Sequence, residues 1–162
     1  MAALDPTLRR TLEKKIVEAR DASEGAAEAA IKALAVHETE PYASLTGDER
    51  RLRRVLRAKA RQLGTNPERD LRPLVEECAY EQWHRMLFAR FLAENGLLMH
   101  PDYEGVSVSL EECAELARDE GDPDAWVTAS RYASAMLPGI FRTDDPLLEL
   151  RLFPEGGALS SV

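Results

Sequence analysis

Apolar positions in this chain recur at spacings of three and four residues and seldom alternate with polar ones, a pattern that predicts helices rather than strands. It is strongest over residues 74–98, LVEECAYEQWHRMLFARFLAENGLL. There Leu74, Val75, Cys78, Ala79, Gln82, Trp83, Met86, Leu87, Arg90 and Phe91 fall on one wide helical face. Asn95-Gly96 then supplies the left-handed stop that commonly closes a helix. A helix this apolar needs covering, so the predicted fold is all-α: an irregular bundle of five or six helices around a central apolar helix from Leu74 to Asn95.

Capping signals place the other elements. Asp5-Pro6 opens a first helix expected to run to about Val36, with a weak interruption at Gly25. Leu8, Leu12, Lys15, Ile16, Ala19, Ala22, Ala26, Ala30, Ala33 and Leu34 form its thin, alanine-rich seam. After a connector containing Pro41, Thr46 and Glu49 match a capping box for a second helix that starts at Gly47 or Asp48, reaches Leu63 and stops at Gly64. Asn66-Pro67 and Asp70 are alternative starts for the third, with Pro73 tolerable only in its first turn. Residues 99–108 read as a loop with a brief extended piece, and Ser109 with Glu112 forms a second capping box for a short helix to about Asp119. Asp122-Pro123 is expected to cap a fifth helix ended by Pro138-Gly139, and Asp145-Pro146 to start a last short one over 147–152. Trp126, Tyr132, Met136, Leu137, Ile140 and Phe141 are expected in the core. The organisation is thus an N-terminal helix with its connector over 1–45, a helical domain over 46–153 and a tail over 154–162.

Composition agrees: 44% hydrophobic and 31% charged residues make a globular balance, and 162 residues suffice for one ordinary domain. No apolar run approaches the roughly 20 residues of a membrane span, and the N-terminus lacks a signal-peptide pattern. Cys78 and Cys113 do not suggest a disulfide framework, so a reducing cytoplasm is expected. The net charge of −8 is located rather than spread. Residues 102–124 hold nine acids against one base, Arg118, whereas residues 50–61 hold seven bases and no acid.

That basic stretch is the main candidate for chemistry. Arg50, Arg54, Arg57 and Arg61 fall within about 60° on a helix, opposite Leu52, Val55, Leu56 and Leu63. Four guanidinium groups in a row could contact successive phosphates of duplex DNA. The competing reading is a solvated face paired with acids of the same chain, and the lack of interleaved aromatics argues against single-strand stacking. Other constellations are weaker. Glu81 and His84 have the spacing of a di-iron helix, but no second Glu-x-x-His exists. His37 and His100 lie in connectors without ligand-like spacing. Cys78 and Cys113 read as buried small hydrophobes, and Ser130 and Ser134 lack a nucleophile-elbow context. No glycine-rich phosphate loop is present.

The string Ala79-Tyr80-x-x-Trp83-x-Arg85-Met86-x-x-Ala89-Arg90-Phe91-x-x-Glu94-Asn95-Gly96 resembles a signature helix of large adenine-specific DNA methyltransferases of bacterial restriction-modification and BREX-type phage-defence systems. The resemblance is tight over 74–98 and looser from Leu52 to Phe153. It implies a non-catalytic, cytoplasmic N-terminal helical domain that assists DNA or subunit contact, and a chain that is a fragment of a longer enzyme. The resemblance implies S-adenosylmethionine as that enzyme's cofactor and an Asn-Pro-Pro-Tyr-like motif to hold an adenine flipped out of the stack. Neither cofactor nor motif maps here: Asn66-Pro67-Glu68-Arg69 shares two letters only, and no catalytic, cofactor or metal residue is carried over. Expected partners are duplex DNA through the basic helix and the enzyme's own catalytic domain or a partner subunit, with no membrane. The rival expectation is a stand-alone helical protein-interaction module, docking through the alanine seam and the acidic window.

Overall fold

The computed structural model describes residues 6–139, 141 and 145–152. It is all-α. The helices are α1 (Pro6–Ala33), α2 (Gly47–Gln62), α3 (Arg72–Glu94), α4 (Leu110–Glu120) and α5 (Ala125–Met136), followed by a 3-10 turn, Pro146–Glu149. The described residues include no strand beyond one isolated antiparallel bridge, Met99 to Ser107, which is the extended piece expected in that loop. The described residues form two compact units, one from the segments up to Tyr80 and from Leu150 onward and the other from those between Glu81 and Glu149, with the division inside α3. The tail over 154–162 and Ile140 lie outside the described residues.

In the first unit α1 ends at Ala33 rather than near Val36. Ala35 takes a left-handed φ of 54°. Ala35 N–H donates to Lys32 O and Val36 N–H to Ile31 O. This is the hydrogen-bond signature of a Schellman stop, and Ile31 and Val36 are both fully buried beside it. Alanine carries no stop signal in a sequence, so helical periodicity overran this boundary. The seam also differs from the expected one. Ala19, Ser23, Ala27 and Ile31, spaced four apart, are buried, whereas Ala22 and Ala33 are exposed. Ser23 satisfies its hydroxyl by donating to Ala19 O at 2.9 Å, which lets a polar residue sit in the seam. Described side chains from Pro6 to Glu18 are exposed and are supported by pairs such as Arg9–Glu13 and Lys14–Glu18.

α2 begins as its sequence requires, with Thr46 and Glu49 satisfying each other's backbone amides, and it stops at Gly64, whose φ is 80°. Leu56 and Ala60 face inward, but Leu63 is exposed and Leu52 and Val55 are only partly covered. The first part of α3 buries Leu74, Val75, Cys78 and Ala79. Pro73 lies in its first turn, and Asp70 accepts from Arg72 N–H at 3.0 Å, making the later of the two expected starts the one used.

The second unit has its core on the latter part of α3, the loop, α4 and α5. Ala89, Leu92, Leu98, Val108, Cys113, Ala129, Tyr132 and Ala133 are buried together. Ser109 and Glu112 form the second capping box, and Gly121 closes α4 in a left-handed conformation. The cap of α5 is Asp124, not Asp122-Pro123: its carboxylate accepts from the N–H groups of Trp126 and Val127. Of the expected α5 core, Tyr132 and Phe141 are buried, Trp126 and Leu137 are partly covered and Met136 is exposed. Leu87 and Phe91, expected inside, are also exposed, because α3 buries Ala89 and Leu92 on a different part of its surface.

Both capping boxes hold the carboxyls of Glu49 and Glu112 below their ordinary value of 4.5, chiefly through the backbone amides of Thr46 and Ser109. Stability from these pairs is present above that value and lost as the pH falls through the lowered ones. Thr46→Ala and Ser109→Ala are each expected to lower unfolding free energy by about 1 kcal/mol, measured by urea denaturation at neutral pH.

Candidate functional site

The connector after α1 has no regular structure, so its buried carbonyls need partners from elsewhere. α2 supplies them. Arg53 is buried and donates from Nε to Ala35 O at 2.9 Å. Its Nη2 donates to Glu38 O at 2.7 Å and Thr39 O at 3.1 Å. Arg57 donates from Nη1 to Val36 O at 2.8 Å and Glu38 O at 2.5 Å, and from Nη2 to the Glu68 carboxylate at 2.5 Å. Arg50 binds the other end of the connector, donating to Leu45 O at 3.0 Å and Ala43 O at 3.3 Å. Burial, followed by the charge of Arg57, lowers the Arg53 pKa from its ordinary value. A guanidinium remains charged there, and its planar fork of donors suits several carbonyls at once.

The four arginines predicted to line one face therefore have different environments. Arg57 has a side chain only 12% exposed and is committed to the connector and Glu68. Arg50 is exposed but tied to connector carbonyls. Arg54 and Arg61 are exposed, with no hydrogen-bond or ion-pair partner among the described residues. They are seven residues apart, so about 10 Å separates them along the helix. Arg53, which α2 periodicity placed off the stripe, is the residue most deeply engaged.

A second polar constellation was not foreseen. His100 Nδ1 accepts from the backbone N–H of Asp102 at 3.1 Å. That nitrogen therefore carries no proton, and Nε2–H donates to Tyr132 Oη at 3.2 Å. Tyr132 in turn donates to Glu120 Oε1 at 2.7 Å. Arg131 Nη2 donates to Asp122 Oδ2 at 2.8 Å and also pairs with Glu120 Oε2. Thr128 completes the set by donating to Asp122 Oδ2 at 2.8 Å. The Tyr132 hydrogen bond and the Arg131 guanidinium hold Glu120 below its ordinary carboxyl value, whereas burial and the Glu120 bond raise Tyr132. Spacing could not reveal this chain, because His100, Glu120 and Tyr132 come from a loop and two helices.

The arrangement binds structure together and offers little chemistry. Burial pushes the Cys113 thiol up to about 11, leaving it a poor nucleophile at neutral pH. Cys78 is buried as well. His84 packs against Phe141, with ring centroids 5.4 Å apart. No group of three His, Cys, Asp or Glu side chains that could hold a metal ion occurs among the described residues. No helix among them is long and apolar enough to cross a membrane. No family model, curated protein or solved structure matches this chain.

Removing Arg53 would empty its buried site and take a donor from the Ala35, Glu38 and Thr39 carbonyls, whereas removing Arg54 would remove only a solvated charge. Arg53→Ala is expected to cost about 2–3 kcal/mol of stability, and Arg54→Ala to stay within about 0.5 kcal/mol. Urea denaturation of the two variants side by side checks the contrast.

Proposed function

We propose that the chain is a non-catalytic helical domain that works by contact, as part of an adenine-specific DNA methyltransferase of a restriction-modification or phage-defence system. The observation that carries this reading is the exposed side of α3. Leu87 and Phe91 are 50% and 54% exposed. They lie within about 40° of one another around the helix. Phe91 belongs to the string that resembles the methyltransferase signature helix, while the string's Ala89 is buried. The string thus contains a residue that builds the helix packing and an exposed aromatic beside it. Large apolar side chains left in water gain about 1.5–3 kcal/mol each when fully buried, which is the physical incentive for such a face to be covered. In this reading the catalytic domain of the same enzyme covers it. S-adenosylmethionine and the flipped adenine belong to that catalytic domain, and no residue here is assigned to either.

DNA contact is the secondary part of the proposal and narrows from four arginines to Arg54 and Arg61. Two phosphate contacts give weak binding that falls with salt, because each neutralised phosphate releases counterions. The rival, a stand-alone protein-interaction module, is favoured by exposed Ile16 and Val17 on the solvated part of α1.

Two measurements separate these readings. The reading frame beyond the codon for Val162 is expected to encode a glycine-containing cofactor motif and an Asn-Pro-Pro-Tyr-like motif. Mixing the chain with that catalytic region in a calorimeter should give a negative heat-capacity change, abolished by Leu87→Ser with Phe91→Ser. A frame without those motifs transfers the lead to the interaction module. For DNA, Arg54→Glu with Arg61→Glu should remove salt-sensitive binding to a generic duplex in fluorescence anisotropy. Equal binding by the reversed protein would exclude the pair as the contact.

A further inference from the structure

The loop over 99–108 is held through His100 in a way that depends on which ring nitrogen carries the proton. Asp102 N–H points at Nδ1 from 3.1 Å, and Nε2 faces Tyr132 Oη at 3.2 Å. Tyr132 has committed its own proton to Glu120, so its oxygen can only accept from Nε2–H. The hydrogen bonds therefore run in one direction: Asp102 N–H to His100, His100 to Tyr132, Tyr132 to Glu120. Glu120 is in turn fixed by Arg131. The Tyr103 ring lies on His100, with centroids 4.7 Å apart, and Tyr103 and Val106 are exposed at the loop surface.

We infer that this loop is a pH-sensitive device in which protonation of His100 exchanges one hydrogen bond and leaves the other. A proton added to the ring goes to Nδ1, the only nitrogen without one. Nδ1 then becomes a donor facing the Asp102 N–H donor, and that bond is lost. Nε2–H still donates to Tyr132, so the loop stays attached on the α5 side. The new Nδ1–H requires an acceptor, and the exposed carboxylates of Asp102 and Glu104 lie in the same turn. The loop brings Asp102 and Glu104, α4 brings Glu120 and the neutral Cys113 thiol, Asp122 precedes α5, and α5 brings Tyr132 and the cation Arg131, already shared by Glu120 and Asp122. Tyr103 moves with the turn, so protonation changes how this aromatic side chain is presented to solvent.

The test is a titration of the full chain by NMR from about pH 8 to about pH 5, the interval in which histidines commonly change charge. As the His100 ring protonates, the Asp102 amide proton should shift upfield. Its hydrogen-exchange protection, corrected for the intrinsic pH dependence, should fall by about tenfold or more. Through-space contacts between the Tyr132 and His100 rings, whose centroids are 5.0 Å apart, should persist. His100→Gln should abolish the Asp102 response. Three results would each overturn the inference: an Asp102 amide that stays protected while the ring protonates, a ring that takes up no proton in this interval, or an unchanged response in His100→Gln.

Discussion

An irregular connector whose backbone is partly buried can persist only if its carbonyls find donors, and in this protein the donors are the arginines of α2. Ala35 and Val36 are fully buried immediately after α1, in a chain that has just left its helix. Arg53 and Arg57 reach four connector carbonyls between Ala35 and Thr39, and Arg57 also draws in Glu68 from the turn that leads to α3. The same two side chains thereby fix the end of α1, the path of the connector and the turn before α3. Unpaired carbonyls in a buried setting would each cost about 1–3 kcal/mol, so the three features stand together.

This use of arginine decides how the basic helix is to be understood. A guanidinium that satisfies backbone carbonyls is no longer a free phosphate ligand, although both roles draw on the same fork of donors. α2 therefore has an inward cationic side, Arg53 and Arg57, that holds structure and an outward one, Arg54 and Arg61 included, that faces solvent. The cluster of seven bases over 50–61 overstates the charge available to a partner. Exposed apolar residues lie elsewhere, Leu87 and Phe91 of α3 among them, and this shifts the weight of the proposed function from gripping DNA towards contact with protein.

The acidic window resolves in a comparable way. Glu120 and Asp122 converge on Arg131, and Glu120 accepts from Tyr132, so part of the negative charge is internal wiring. Glu112 is spent on a capping box and Asp124 on the cap of α5. A run of like charges in a sequence is thus a mixture of caps, ion pairs and solvated surface, and only the surface part is open to other molecules.

Features that depend on near neighbours were legible in the residues alone. Both capping boxes, the glycine stops at Gly64 and Gly96 and the all-α class follow from contacts within one or two helical turns, where residue type and spacing suffice. The tertiary structure decided what depends on distant partners. Helical periodicity gives a wide apolar face on α3 but not which part is covered, so Leu87 and Phe91 were expected inside and are exposed. It likewise could not distinguish Arg53 from Arg54, adjacent and chemically identical, one buried against backbone carbonyls and the other in water. Nor could it bring His100, Glu120 and Tyr132 together. Periodicity is a property of one helix, whereas burial and hydrogen-bond partnership belong to pairs of elements whose meeting is set only when the chain packs.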